Sequence, residues 1–189
     1  MIDLEQFRMQ AEEEAALRDL LREANPTTIA EFGSGQTTRF WAERCEARIT
    51  TWDNYPKWIT ELKAAFAGAS WLERIEFRHY EVTPPGPRNV EKDPPEWSGA
   101  KFDLLFLDGP RSAHPQNFGR SGTFRFATQH AAPGAMIVWH DARRPHEQEM
   151  ARRYFSHCAR KRRGNVGWCR WEARVGSLRQ ALRRFNFFA

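Results

Sequence analysis

The chain predicts a doubly wound α/β fold, a mostly parallel sheet with helices on both faces. Three observations carry that expectation. Short apolar runs alternate with amphipathic stretches along the chain. The first apolar run (Ile29, Ala30, Phe32) ends in Gly33-Ser34-Gly35, a sharp turn that opens the next amphipathic stretch. An acid, Asp53, closes the second apolar run 20 residues beyond Gly33. At 189 residues the whole chain fits one domain. It divides into an N-terminal helix (1–24), a ligand-binding core (25–145) and a basic C-terminal helix with strands (146–189).

The elements follow in order. Residues 3–24 place Leu4, Phe7, Ala11, Ala15, Leu17, Leu20 and Leu21 at helical spacing, and Asn25-Pro26 stops that helix. After the glycine turn, Thr37 to Cys45 reads as a helix and Arg48 to Asp53 as the second strand. Pro56 starts a helix to Ala67 with Trp58, Leu62 and Phe66 on one face. Ile75 to Glu81 reads as the third strand. The segment Thr83 to Gly99 holds five prolines without periodicity and reads as a long surface loop. Phe102 to Leu107 is the fourth strand, Arg120 to His130 a helix, Ala135 to Asp141 the fifth strand and His146 to Arg160 a helix. Val166 to Val175 and Ser177 to Phe188 read as two further strands.

Composition narrows the class. No apolar run is long enough to span a membrane. Glu12, Glu13 and Glu14 stand where an export signal would need an apolar core. Cys45, Cys158 and Cys169 form neither a metal-type pair nor a disulfide framework, so a reducing, cytoplasmic setting is expected. Charge is uneven: residues 143–189 carry 13 Arg and Lys against 3 Glu, net +10, which leaves −5 for residues 1–142. The densest run, Arg160-Lys161-Arg162-Arg163, precedes Trp168 and Trp171. It reads either as a solvated helix end or as a surface that clamps an RNA backbone and stacks bases.

The stretch from Thr27 to Asp53 has the layout of a nucleotide site. Glycines admit a ligand close to the backbone, the next helix turns its N–H groups toward an anionic group, and a carboxylate after the second strand can bind ribose hydroxyls. A dinucleotide fingerprint needs a third glycine where Thr37 or Thr38 stands, which argues against NAD. The pattern Glu31-x-Gly33-x-Gly35 resembles the first motif of the class I S-adenosylmethionine-dependent methyltransferases, a Rossmann-like family. Asp53, the strand Phe102 to Leu107 with Asp108-Gly109-Pro110, and Ala132 to Val138 match further family pieces in order. The resemblance spans residues 25–145.

That resemblance implies a transfer of a methyl group from S-adenosylmethionine to an oxygen or nitrogen of a small molecule or saccharide. It assigns Glu31, Gly33, Ser34, Gly35, Thr37, Trp52, Asp53, Glu81 and Asp108 to the cofactor. Trp52, Asn54 and Tyr55 are expected near the adenine, with core packing the other reading for Trp52; helix capping is the other reading for Asp53. Asp108, His140 and Asp141 are expected at the reaction centre. Family members that use a divalent metal place an acid after the fourth strand and Asp-Asn after the fifth; Asp108 and Asp141 match the acids as ligands for Mg²⁺, whereas Ala142 replaces the Asn. The alternative to the metal is His140 as general base, with His114 a second candidate. An RNA methyltransferase and a non-catalytic binding or assembly protein remain the competing functions, and oligomer formation stays open.

Overall fold

The computed structural model describes residues 9–81, 95–110 and 120–172. Its elements run α1 (Ala11–Ala24), β1 (Thr28–Phe32), α2 (Gln36–Arg44), β2 (Arg48–Asp53), α3 (Pro56–Ala65), β3 (Ile75–His79), β4 (Phe102–Leu107), α4 (Ser121–His130), β5 (Ala131–Trp139), α5 (Pro145–Tyr154), β6 (Lys161–Arg163) and β7 (Val166–Arg170). One seven-stranded sheet has the order β3-β2-β1-β4-β5-β7-β6. Strands β3 to β5 are parallel; β7 runs antiparallel to β5, and β6 to β7. The order reverses between β1 and β4, and in such sheets ligands bind outside the carboxyl ends at that point.

Strand β4 shows why the sheet is buried on both sides. Leu105 and Leu107 join a core with Phe32, Trp52, Phe124, Phe126 and Phe155. Leu104 and Phe106 join another with Leu17, Leu20, Phe40, Trp41 and Val138. Alternate residues of a strand face opposite ways, so a near-continuous apolar run is what a parallel strand covered on both faces requires.

Several element limits differ from the sequence expectation. Helix α1 starts at Ala11, where the Gln10 N–H donates to Glu13 Oε2 at 3.2 Å; residues 3–8 of the expected helix lie outside the described residues. Strand β5 begins at Ala131 rather than Ala135, and its register against β4 shifts between Phe102 and Leu104, with Gly134 at φ +80°. It also ends at Trp139, so His140 and Asp141 lie past the strand. Helix α5 stops at Tyr154, six residues short, because Phe155 turns away to stack on Phe124 at 5.3 Å between ring centroids. Lys161–Arg163 of the basic run forms the edge strand β6 instead of a helix end, an arrangement in which charge deters pairing with another sheet. Strand β7 ends at Arg170, and the expected strand Ser177 to Phe188 lies outside the described residues, as do positions 83–94 of the proline-rich loop.

Two glycines let β1 and β4 close at their carboxyl ends. Gly33 has φ +93°, and an added Cβ there would stand 3.2 Å from the Asp108 carbonyl carbon. A Cβ on Gly109 would stand 2.7 Å from Gly33 N and 2.9 Å from the Phe32 carbonyl carbon. Gly109→Ala is therefore expected to cost about 1–3 kcal/mol through overpacking against backbone that cannot swing aside. Urea unfolding checks this against Gly35→Ala, whose added Cβ meets nothing within 4 Å. Equal midpoints for the two variants would refute the close-approach argument.

Candidate active site

The glycine turn is held from below by a buried carboxylate. Glu31, on β1, is fully buried. Its Oε2 accepts the Thr38 hydroxyl and, at 2.8 Å, the Thr51 hydroxyl. Thr38 Oγ1 in turn accepts the Gly35 N–H at 2.8 Å, and Thr51 shares a hydrogen bond with Ser34 Oγ at 2.8 Å. Burial pushes Glu31 up to about 7, against the lowering effect of the Thr37, Thr38 and Thr51 hydroxyls, and its Oε1 has no hydrogen-bond partner. Glu31 thus shapes the turn from inside the fold and does not line the cleft.

Above the turn lies a cleft with two adjoining lobes, both bordered by Gly33, Ser34, Trp58, Asp108 and His140. The smaller, about 320 Å³, adds Gly35 and Thr37 from the turn and Glu13 and Leu17 from α1. The larger, about 520 Å³, adds Asp53, Tyr55, Arg120, Asp141 and Arg144. Asp53 accepts the Ser34 N–H at 3.2 Å on Oδ2 and the Tyr55 N–H at 2.9 Å on Oδ1, and burial raises its carboxyl above the ordinary range despite those donors. Asp53 is not the side-chain cap of α3, whose N-cap is Tyr55. Gly35 has an open cradle beside it: its backbone is extended and an added Cβ would meet nothing.

Besides Glu31, two expected cofactor residues sit elsewhere. Trp52 is a core residue, 1% exposed and stacked on Phe32 at 5.0 Å, because alternation along β2 turns it beneath the sheet while Asp53 faces the cleft. Glu81 is exposed two positions past β3 and lines neither lobe. His114 and its loop lie outside the described residues.

At the far end, Asp108, His140 and Asp141 come together with residues the sequence did not single out. His140 Nε2 lies 3.1 Å from Glu13 Oε1, and Nδ1 lies 3.2 Å from Asp108 Oδ1 and 3.6 Å from Asp141 Oδ1. Burial alone lowers His140, but its hydrogen bond to Asp108 and the charges of Asp108, Asp141 and Glu13 outweigh that and push it up to about 9. At neutral pH it is an imidazolium, not the free imidazole that an ordinary histidine offers. Asp141 holds this corner in the left-handed region at φ +60°, sparsely populated for residues with a side chain.

A divalent ion does not fit this donor set. One ligand atom from each of Asp108, His140 and Asp141 lies within 4.8 Å of the others. The buried Arg120, however, already bridges the two carboxylates: Nη2 donates to Asp108 Oδ1 at 3.1 Å and to Asp141 Oδ2 at 3.0 Å, and Nη1 lies 3.6 Å from Glu147 Oε1. Asp141 Oδ2 also meets Arg144 Nη1 at 2.8 Å, and its Oδ1 accepts the Asn165 amide at 3.3 Å. Mg²⁺ needs carboxylate oxygens and its own waters where a guanidinium stands.

Glu13, Trp58, Arg120 and Arg144 were missed from sequence. Trp58 lines both lobes and donates from Nε1 to the Ser34 carbonyl at 2.7 Å; its place on an apolar helix face hid that. Arg120 carries no local signal, since it reads as the ordinary first residue of a helix. On the opposite edge, Arg163 pairs with Asp19 at 3.1 Å and Arg170 with Glu23 at 3.0 Å, so part of the basic stretch is answered by α1.

No protein-family model matches the chain, and no curated protein matches it in sequence. Solved structures do resemble it. An O-methyltransferase from Bacillus cereus, solved with S-adenosylhomocysteine, is 14% identical with a TM-score of 0.61, over 87% of this chain and 83% of that one. The O-methyltransferase TomG from Streptomyces achromogenes, in complex with S-adenosylmethionine, is 15% identical with a TM-score of 0.60, over 88% and 82%. A methyltransferase-like protein from Silicibacter pomeroyi is 19% identical with a TM-score of 0.61, over 93% and 94%. The chain has the class I methyltransferase fold.

Folding raises Glu31 from an ordinary 4.5 to about 7, so the folded state holds that proton more tightly than the unfolded chain does. The stability it contributes is complete below pH 4.5 and is lost as pH rises through about 7. Glu31→Gln, permanently neutral, is expected to unfold at higher temperature than wild type at pH 8 and to lose the difference near pH 4.5. Thermal melts across that window check the sign; a variant less stable than wild type at pH 8 would show that the ionised form is the favoured one.

Proposed function

We propose that this protein is an S-adenosylmethionine-dependent methyltransferase acting on an oxygen or nitrogen of a small molecule or saccharide. The observation that carries the reading is the open cradle at Gly35, in a cleft that Asp53 also borders, at the switch point of this fold. When bound, S-adenosylmethionine supplies a sulfonium methyl that the acceptor takes, with the C–S electron pair left on sulfur. Gly33, Ser34, Gly35 and Thr37 form the wall against which it lies, and Asp53 accepts from its ribose hydroxyls. The larger lobe, within the size range of small-molecule sites, takes the ribose and adenine end beside Asp53 and Tyr55 and, past Asp108 and His140, the acceptor beside Arg144.

Asp108 and His140 border both lobes and so stand where donor and acceptor meet. Catalysis rests mainly on positioning, which a walled cleft supplies by holding the two reactants in line. His140, oriented by Asp108 and Glu13, takes the acceptor's proton once its own has been lost. With its titration near 9, only about 1 in 100 molecules carries the basic form at pH 7.

Calorimetry with S-adenosylhomocysteine tests the cofactor site. Wild type binds; Gly35→Val, which fills the cradle, binds much more weakly while staying folded; Asp53→Ala loses on the order of 1.5 to 3 kcal/mol from one charged hydrogen-bonding group. No binding by folded wild type would end the proposal. On an identified acceptor, kcat/KM should climb about tenfold per pH unit and level off above about 9, because the rate follows the deprotonated fraction of His140. His140→Ala should remove that limb and cost about 10²–10⁴ in rate at the plateau. A flat profile from pH 7 to 9 would show that another group takes the proton.

A further inference from the structure

We propose that Arg120 is the resident cation of the reaction centre, standing between Asp108 and Asp141 in place of a divalent metal, so that methyl transfer here is metal-independent. The inference rests on reading the cleft as a methyl-transfer site and adds the group that supplies its positive charge. Arg120 is 4% exposed and lines the larger lobe. Its Nη2 meets one oxygen of each aspartate, and Nη1 reaches both Glu147 and the His140 carbonyl oxygen, the latter at 3.3 Å.

Three features make this arrangement a site with its cation built in rather than a metal site with a nearby arginine. The bridging nitrogen contacts one oxygen of each carboxylate within hydrogen-bond range, so the paired negative charge that would draw a divalent ion is already answered by a guanidinium. Asp141 has both oxygens engaged: Oδ2 by two guanidinium groups and Oδ1 by the Asn165 amide, with the His140 ring close by. Ala142 offers no side-chain ligand atom at the position where a metal-binding pattern would add one. A divalent ion placed here would sit beside a fixed like charge, and displacing that guanidinium would unpair buried Glu147.

The chemistry that follows is electrostatic. A fixed guanidinium bordering the acceptor lobe offsets the carboxylates that would otherwise repel negative charge developing on an acceptor oxygen, a part that a bound divalent ion plays in metal-assisted sites. Arginine keeps its charge at all working pH values, so this stabilisation does not titrate.

The test is Mn²⁺ binding, read by electron paramagnetic resonance and independent of any acceptor. Wild type is expected to show no saturable binding at millimolar Mn²⁺, and its S-adenosylhomocysteine affinity should be unchanged by chelator. Arg120→Gln should free the carboxylates and bind one Mn²⁺ at least about tenfold more tightly than wild type. Adding Asp108→Asn to that variant should abolish the gain. Stoichiometric Mn²⁺ binding by wild type, or a folded Arg120→Gln without any gain, overturns the proposal. If Arg120→Gln does not fold, Arg120→Ala prepared with Mn²⁺ present replaces it, and the wild-type measurement decides regardless. Failure of S-adenosylhomocysteine to bind wild type would instead strike the reading of the cleft.

Discussion

The carboxyl end of this sheet depends on one buried guanidinium. Glu13, Asp108, Asp141 and Glu147 converge there from α1, the end of β4, the turn after β5 and α5, and three of the four are less than a tenth exposed. Carboxylates taken out of water are tolerable only when paired and hydrogen-bonded. Arg120 meets three of them and His140 meets three, sharing Asp108 and Asp141. Removing one partner from such a buried set leaves charge with no compensation, which costs far more than the pairing itself contributes.

That constraint also determines what the acceptor end of the cleft can do. His140 is drawn into the cluster by both ring nitrogens, and the same carboxylates that orient it make it hold its proton. Glu13 brings α1 over the smaller lobe, so the helix that packs Leu17 and Leu20 into the core also closes one wall of the site. Structural and chemical demands meet in the same side chains, which is why the left-handed backbone at Asp141 persists: its carboxylate is anchored by Arg120, Arg144 and Asn165.

The opposite end is built on hydroxyls and glycines. Glu31 and its threonine donors set the shape of the turn from within, and Gly33 and Gly109 let two strand ends meet backbone to backbone. No side chain could fill that contact without pushing β1 and β4 apart, and the two lobes share Gly33 as their common floor. The resemblance in fold to structures only 14–19% identical therefore rests on a backbone arrangement that few residues need to specify.

Periodicity and punctuation made most of the sheet legible in the sequence. Strand β2 matches its expected limits, and β1, α2 and β4 lie close to theirs, because a buried parallel strand must be an apolar run and a tight strand-to-helix turn must carry glycine. The same local logic singled out Asp53, Asp108, His140 and Asp141, since charged residues at the ends of apolar strands are costly to bury without a partner, although Glu81, placed by the same rule, lines neither lobe. It could not separate Trp52 from the cleft, because which face of β2 looks inward depends on the helices laid over it. Nor could it find Arg120, Arg144, Glu13 or Trp58, or show that Lys161–Arg163 of the basic run is an edge strand whose Arg163 pairs with Asp19 of α1. Those outcomes depend on partners far apart in the chain, such as Glu13 and His140, and electrostatics acts through distance in space, which sequence spacing does not record.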